Sequence, residues 1–227
     1  MPLFSTLDLI ALACFVGAWI AYAITVERTP YGGRSLNALM HRYRYQWMQQ
    51  MLAREVRIVD TQIVAALQNG NAFFASTSLI ALGGSLTLLH SNEQVLEVIG
   101  ALPFAARTTA TQWQAKSMGL AIIFVYAFFK FAWAYRLFNY VAIMIGATAP
   151  IEQKDSAESK ALAARAARLT EVAGLHFNRG QRAFFFALGY LGWFVSPVVF
   201  LAATVAVVVV MWRRQFASDS RRALVGA

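Results

Sequence analysis

An apolar stretch near the middle of the chain contains two basic side chains that have no acidic residue close to them in sequence. Residues 118 to 145 are long enough to cross a bilayer, yet they include Lys130 and Arg136, and no Asp or Glu lies between Lys116 and Pro150. A charge near the centre of a bilayer costs roughly 3 kcal/mol or more, so such residues are functional candidates by default. The chemistry that two cations offer here is the binding of an anion.

Both cations share one flank of the predicted helix with aromatic and polar neighbours. At about 100° per residue, the flank covers an arc of roughly 120°. Its members are Tyr126, Phe129, Lys130, Trp133, Arg136 and Tyr140, with Asn139 beside them. Two explanations stay open: the stripe faces a pore, an anionic ligand or a lipid headgroup, or it is a belt of side chains that extend to the headgroup level.

A second group of candidates lies in the apolar run from about residue 63 to residue 89. Asn71, Ser76 and Thr77 could line a polar path, although small polar residues also serve as close-packing contacts between membrane helices. Asp60 precedes this run, where a carboxylate suits the positive end of the helix dipole. It is also a candidate counter-charge for Arg136.

Composition favours a membrane protein without catalytic machinery. The chain has 227 residues that are 59% hydrophobic, whereas soluble domains are about 45–50% apolar. Its net charge of +9 comes from basic residues next to apolar runs, which suits anionic lipid headgroups better than nucleic acid. With one cysteine and three scattered histidines, the sequence predicts no metal site, no cofactor and no enzyme activity.

Hydropathy predicts an all-α integral membrane protein with four transmembrane helices in a single domain, residues 1–227. The spans cover about residues 7–26, 63–89, 117–146 and 183–212. A basic amphipathic helix over about 35–60 is predicted to lie at the interface after the first span or to pack under the bundle, and a soluble helix is predicted over about 155–175. Pro197 divides the last span, which predicts a kinked helix, with a re-entrant hairpin as the alternative.

Loop charges predict the orientation of the spans. The first loop holds six Lys and Arg residues, the third loop six and the middle loop two, so the positive-inside rule places the first and third loops in the cytoplasm. Four basic residues in the C-terminal tail argue against this orientation, because four spans would put that tail outside.

Four segments resemble a family of four-pass membrane proteins of bacteria and plants that is known only as domain of unknown function five hundred and ninety-nine. The resemblance implies a four-helix membrane fold and, for a bacterial member, the inner (plasma) membrane, and it implies no activity. The segments are His41-x-x-x-Tyr45-x-Trp47-Met48, Arg54-Glu-x-Arg57-x-x-Asp60, Asn71-x-Phe73-Phe-Ala-Ser-Thr77 and Lys130-Phe-x-Trp133-x-x-Arg136-x-x-Asn139-Tyr140.

Two functions fit these features. The first is a homo-oligomeric channel or transporter-like subunit, with a pore at a symmetry axis because four spans leave little room inside one copy. Its cationic stripe would favour anions or anionic lipid, as basic rings do in anion pores. The alternative is a non-catalytic scaffold or assembly subunit that binds lipid or partner proteins. Membrane lipids and further copies of the chain are the expected partners.

Overall fold

The structure, a computed structural model, describes residues 3–90 and 108–225, and all regular elements in this part of the chain are helical. The predicted all-α class is therefore confirmed. Short 3-10 turns lie at Gly32–Arg34, Leu88–His90 and Ile151–Gln153. The α-helices are α1 (Thr6–Arg28), α2 (Leu36–Leu52), α3 (Ile58–Thr87), α4 (Ala110–Gly146), α5 (Ala157–Val195), α6 (Pro197–Phe216) and α7 (Asp219–Val225).

The chain divides into two compact units, and helices α3, α4 and α5 each contribute residues to both. The first unit comprises Met1–Leu36, Ser78–Tyr126 and Arg182–Ala227. The second unit comprises Asn37–Thr77 and Ala127–Gln181.

Within residues 3–90 and 108–225, three helical segments are long and apolar enough to cross a membrane: α1, α4 and the segment Pro197–Val225. Helix α3 has 30 residues but is not among them. Gln68, Asn69 and Asn71 make its first half polar, which explains why the predicted second span does not qualify. In the described part of the chain, the predicted spans over 7–26 and 117–146 thus have matching helices, the last predicted span is matched only from Pro197 onward, and the span over 63–89 is not confirmed.

The apolar run from 183 to 212 is interrupted at Ser196, which has an extended backbone (φ −165°, ψ 161°) and caps α6 by accepting a hydrogen bond from the Val199 amide. Pro197 then takes the first helical position, where its missing N–H costs nothing. The Arg214 guanidinium lies 4.8 Å from the ring centroid of Phe185, so α6 returns along α5. Two antiparallel helices thus replace the single kinked helix, and the second of them, α6, begins a segment that is itself apolar enough to cross a membrane.

Other helix ends also differ from the predicted ones. Helix α5 is continuous over Ala157–Val195 and so joins the predicted soluble helix to the start of the last apolar run. The predicted amphipathic helix over 35–60 is two elements, because α2 ends at Leu52 and α3 begins at Ile58. Helix α4 begins at Ala110, seven residues before the predicted start of its span.

The core of the second unit is built from four helical segments. Helix α2 contributes Met48, Met51 and Leu52, and α3 contributes Val64. Leucine, phenylalanine, valine and isoleucine side chains of α4 pack against a row of alanines on α5, whose small size lets the helices approach closely. These residues are Leu137, Phe138, Val141 and Ile145 on α4 and Ala163, Ala166, Ala167 and Ala173 on α5.

We expect Gly192→Val to destabilise the α5–α6 hairpin. A Cβ at Gly192 would lie 3.0 Å from the Val199 carbonyl oxygen and 3.1 Å from the Phe200 Cα, and backbone atoms do not move aside cheaply. Overpacking of this kind costs about 1–3 kcal/mol. The free energy of unfolding in mild detergent measures the effect. Gly83→Val is the matched control, because nothing lies within 4 Å of its Cβ position; equal losses in both variants would contradict the tight hairpin.

Candidate functional site

The predicted cationic stripe on α4 is partly outward-facing. Within the second unit, Trp133, Arg136 and Tyr140 are exposed, whereas Lys130 and Asn139 are half-buried. Arg136 Nε donates a hydrogen bond of 2.7 Å to the Tyr140 hydroxyl, and its guanidinium lies 5.7 Å from the Tyr140 ring centroid. The four-residue spacing of these two residues predicts this contact, and the contact fixes the guanidinium on the outer surface.

Exposed apolar residues extend the outward face at both ends. Phe129 is 64% exposed and Ile143 is 67% exposed. Alternating steps of four and three residues separate the members, so all of them lie on one side of α4. We call this set the outer α4 stripe: Phe129, Trp133, Arg136, Tyr140 and Ile143. A contiguous exposed surface of aromatic and aliphatic side chains marks a contact with lipid or protein.

The polar candidates on α3 do not face one common surface. Asn71 is 2% exposed; its Nδ2 donates to the Leu67 carbonyl at 2.7 Å, and its buried Oδ1 has no hydrogen-bond partner among the described residues. Ser76 is exposed, and the Thr77 hydroxyl donates to the Phe73 carbonyl at 2.8 Å. Asn139 on α4 accepts a hydrogen bond from Gln68 Nε2. Gln68 is not among the site residues that the sequence predicts.

Asp60 is fully buried and pairs with Arg54 rather than with Arg136. Its Oδ1 accepts hydrogen bonds from Trp47 Nε1 at 2.7 Å and from Arg54 Nη1. The turn between α2 and α3 brings Arg54 back onto the first turn of α3. Arg54 therefore supplies the counter-charge of Asp60, which lies six residues later in the sequence. The proposed Asp60–Arg136 pair is therefore corrected.

Arg57 holds the ends of two helices. Its Nη2 donates to the Ala149 carbonyl at 2.8 Å, its Nη1 donates to the Thr148 carbonyl at 3.2 Å, and its Nε donates to the Met51 carbonyl at 3.4 Å. Carbonyl groups at helix C-termini lack intrahelical partners, and a cation there also suits the helix dipole. The role of Arg57 is thus structural, and only its place in the Arg54-x-x-Arg57-x-x-Asp60 segment marked it in the sequence.

A polar cluster between α2 and α5 was missed by the sequence analysis. His41 Nδ1 lies 2.8 Å from Glu171 Oε1, and Arg44 is close enough to interact electrostatically with both residues. Burial lowers the pKa of His41 from its usual value, while Glu171 opposes the shift. Burial also lowers the pKa of Arg44.

Buried charges in the first unit have partners inside it. Lys116 is 3% exposed, and its Nζ donates to the Trp193 carbonyl at 2.8 Å. Trp193 Nε1 donates to Asp8 Oδ1 at 2.7 Å, and buried Arg182 pairs with Glu27. Lys116 and Arg182 are among the loop charges that predict the orientation of the spans, but both residues are buried within helices.

Long helices, three of which are apolar enough to cross a membrane, indicate an α-helical membrane protein. A sequence profile described as "Protein of unknown function, DUF599" matches residues 10–220. The chain belongs to this family, so the resemblance seen in its segments is confirmed. No curated protein and no solved structure matches the chain. Within residues 3–90 and 108–225, no cluster of His, Cys, Asp and Glu could hold a metal ion.

We expect Asp60→Ala to destabilise the protein by about 1–3 kcal/mol, because Trp47 Nε1 loses its buried acceptor and Arg54 its counter-charge. Thermal unfolding in detergent measures the loss. Asp155→Ala is the control, since Asp155 and its partner Lys160 are largely exposed and such pairs contribute little.

A double-mutant cycle distinguishes the two proposed partners of Asp60. We expect the effects of Asp60→Ala and Arg54→Ala to be non-additive, whereas those of Asp60→Ala and Arg136→Ala add. Coupling between Asp60 and Arg136 instead would contradict the pairing of Asp60 with Arg54.

Proposed function

We propose that the chain is a non-enzymatic subunit of a homo-oligomeric membrane assembly of channel or transporter type, in which the outer α4 stripes of several copies surround a path for anions. The observation that carries this proposal is the stripe itself, an exposed row of apolar and aromatic side chains with Arg136 at its centre. The two ends of the stripe are suited to helix–helix contact, and its centre is suited to an anion.

The spacing of the outer α4 stripe suits contact between helices of different copies. Steps of four and three residues are those of a seam at which helices from different copies pack together. Phe129 and Ile143, the most exposed members, would lose the most apolar surface to such a contact. A closed ring of copies would bury this surface repeatedly, as symmetric oligomers do.

The charge of Arg136 suits an anion at the centre of such a ring. Around a symmetry axis, copies of Arg136 would repel one another unless an anion lies between them. The hydrogen bond to Tyr140 uses Nε of an exposed guanidinium, and the Nη groups of arginine are suited to binding an anion. Half-buried Lys130 adds a second positive charge on the same helix, as in the basic rings that select anions in pores.

A scaffold that binds anionic lipid or a partner protein is the second candidate function. Trp133 and Tyr140 flank Arg136, and this combination is typical of side chains at the headgroup level of a membrane. In that case the stripe would hold lipid phosphate rather than a permeating ion. For either function we propose a bacterial inner-membrane location with the first and third loops in the cytoplasm, which the basic residues of those loops support.

Anion flux into liposomes that contain the purified protein tests the proposal. We expect Arg136→Ala, and Lys130→Ala to a lesser degree, to lower flux about fivefold or more, because each removes a charged anion contact. The oligomer mass, measured by native mass spectrometry, should stay unchanged. Arg168→Ala is the matched control, since Arg168 is an exposed arginine on α5, away from the stripe.

The alternatives give different results. Loss of co-purified anionic lipid in Arg136→Ala, with no flux in the unaltered protein, would contradict the channel and support the scaffold. A monomeric protein would contradict both the axial path and the homo-oligomer. Equal flux in Arg136→Ala and Arg168→Ala would exclude the stripe as the anion path.

A further inference from the structure

The polar cluster of the second unit has a geometry that ordinary helix packing does not require. His41 and Arg44 lie one turn apart on α2 and face Glu171 and Gly174, one turn apart on α5. A Cβ at Gly174 would lie 2.9 Å from Arg44 Nη2 and 3.0 Å from Arg44 Cζ. Only glycine therefore leaves room for the guanidinium against α5.

Two polar atoms of this cluster are buried without a partner. His41 Nε2 and Arg44 Nη1 have no hydrogen-bond partner among the residues that the structure describes. Buried polar atoms in native proteins are almost always satisfied, so an unpaired one calls for a ligand or ordered water. Residues three apart on a helix are surface neighbours, so the side chains of His41 and Arg44 share one face of α2.

The hydrogen-bonding character of the two atoms defines the ligand. Glu171 accepts the proton of His41 Nδ1 at 2.8 Å, so Nε2 of the neutral imidazole is an acceptor. Arg44 Nη1 is only a donor. The ligand must therefore accept a hydrogen bond from Arg44 and donate one to His41. An oxyanion that carries a hydroxyl group does both, and arginine geometry suits phosphate oxygens.

We propose that His41 and Arg44 form a binding site for a phosphate group with a free P–OH, where α2 contacts α5. Inorganic phosphate and a phosphomonoester lipid headgroup share this chemistry, whereas a phosphodiester headgroup lacks the hydroxyl. Glu171 has the same sign of charge as this ligand, but its carboxylate binds Nδ1, on the other side of the ring from Nε2, and its side chain is 40% exposed. The site lies on α2 and α5, so it does not depend on the function proposed for the outer α4 stripe.

Thermal unfolding of the full-length protein in detergent provides the test. Inorganic phosphate is compared with chloride at equal ionic strength, and micelles with phosphatidic acid, a monoester, are compared with micelles containing phosphatidylglycerol, a diester. We expect phosphate or phosphatidic acid to raise the midpoint temperature. Arg44→Gln should weaken this response at least about tenfold in concentration, since it removes a charge-assisted hydrogen bond.

Two further variants keep the test independent of folding defects. Gly174→Ala displaces only the mobile end of the Arg44 side chain, so the helices stay in place while the site is blocked. His41→Gln keeps a polar side chain but removes the Nε2 acceptor at its present place. Arg42→Gln is the matched control, because Arg42 is exposed on the same helix and its loss changes the net charge equally.

The outcomes separate the sources and the failures. A response to inorganic phosphate alone identifies the free ion, and a response to phosphatidic acid alone identifies the lipid. The site would be overturned if Arg44→Gln, Gly174→Ala and Arg42→Gln all retain the response. It would also be overturned if the protein responds to neither probe, because water would then be the occupant.

Discussion

Every charge that the helices bury has to be paired inside the protein, and this constraint governs most of the observed contacts. A charged group without a partner in an apolar interior costs several kcal/mol. Lys116 therefore donates to a backbone carbonyl, Arg182 pairs with Glu27, and Asp60 pairs with Arg54. Each of these contacts joins segments that lie on different helices or across a turn, so satisfying the charge also fixes how the helices pack.

The same constraint identifies the places where the chain leaves polar capacity available. Arg136 is exposed on the outer surface of α4, and its Nε donates to the Tyr140 hydroxyl. The Arg44 guanidinium is instead held against Gly174, and its buried Nη1 has no hydrogen-bond partner among the described residues. The first arrangement suits a partner that arrives from outside the subunit. The second suits a ligand enclosed between two helices.

Local sequence patterns predicted the helical class but not the charge pairs. Long apolar runs and helical spacing depend on neighbouring residues, so the all-α class and the contact between Arg136 and Tyr140 followed from sequence. The partner of Asp60 depends on a five-residue turn that folds Arg54 back onto α3, and no periodicity encodes this turn. The cluster of His41 and Glu171 is harder still, because 130 residues separate its members.

The hairpin at Ser196 shows that a turn is acceptable within an apolar run when its backbone groups are satisfied. The Ser196 amide donates to the Gly192 carbonyl at 3.1 Å, and the Ser196 carbonyl accepts from the Phe200 amide at 2.9 Å. Its hydroxyl caps the Val199 amide, and Pro197 has no amide hydrogen to satisfy. The cost of exposed peptide groups, which favoured a kinked helix, is thereby removed. A serine followed by proline is a helix-start signal in any surroundings, and in this chain the signal is stronger than the continuous hydropathy around it.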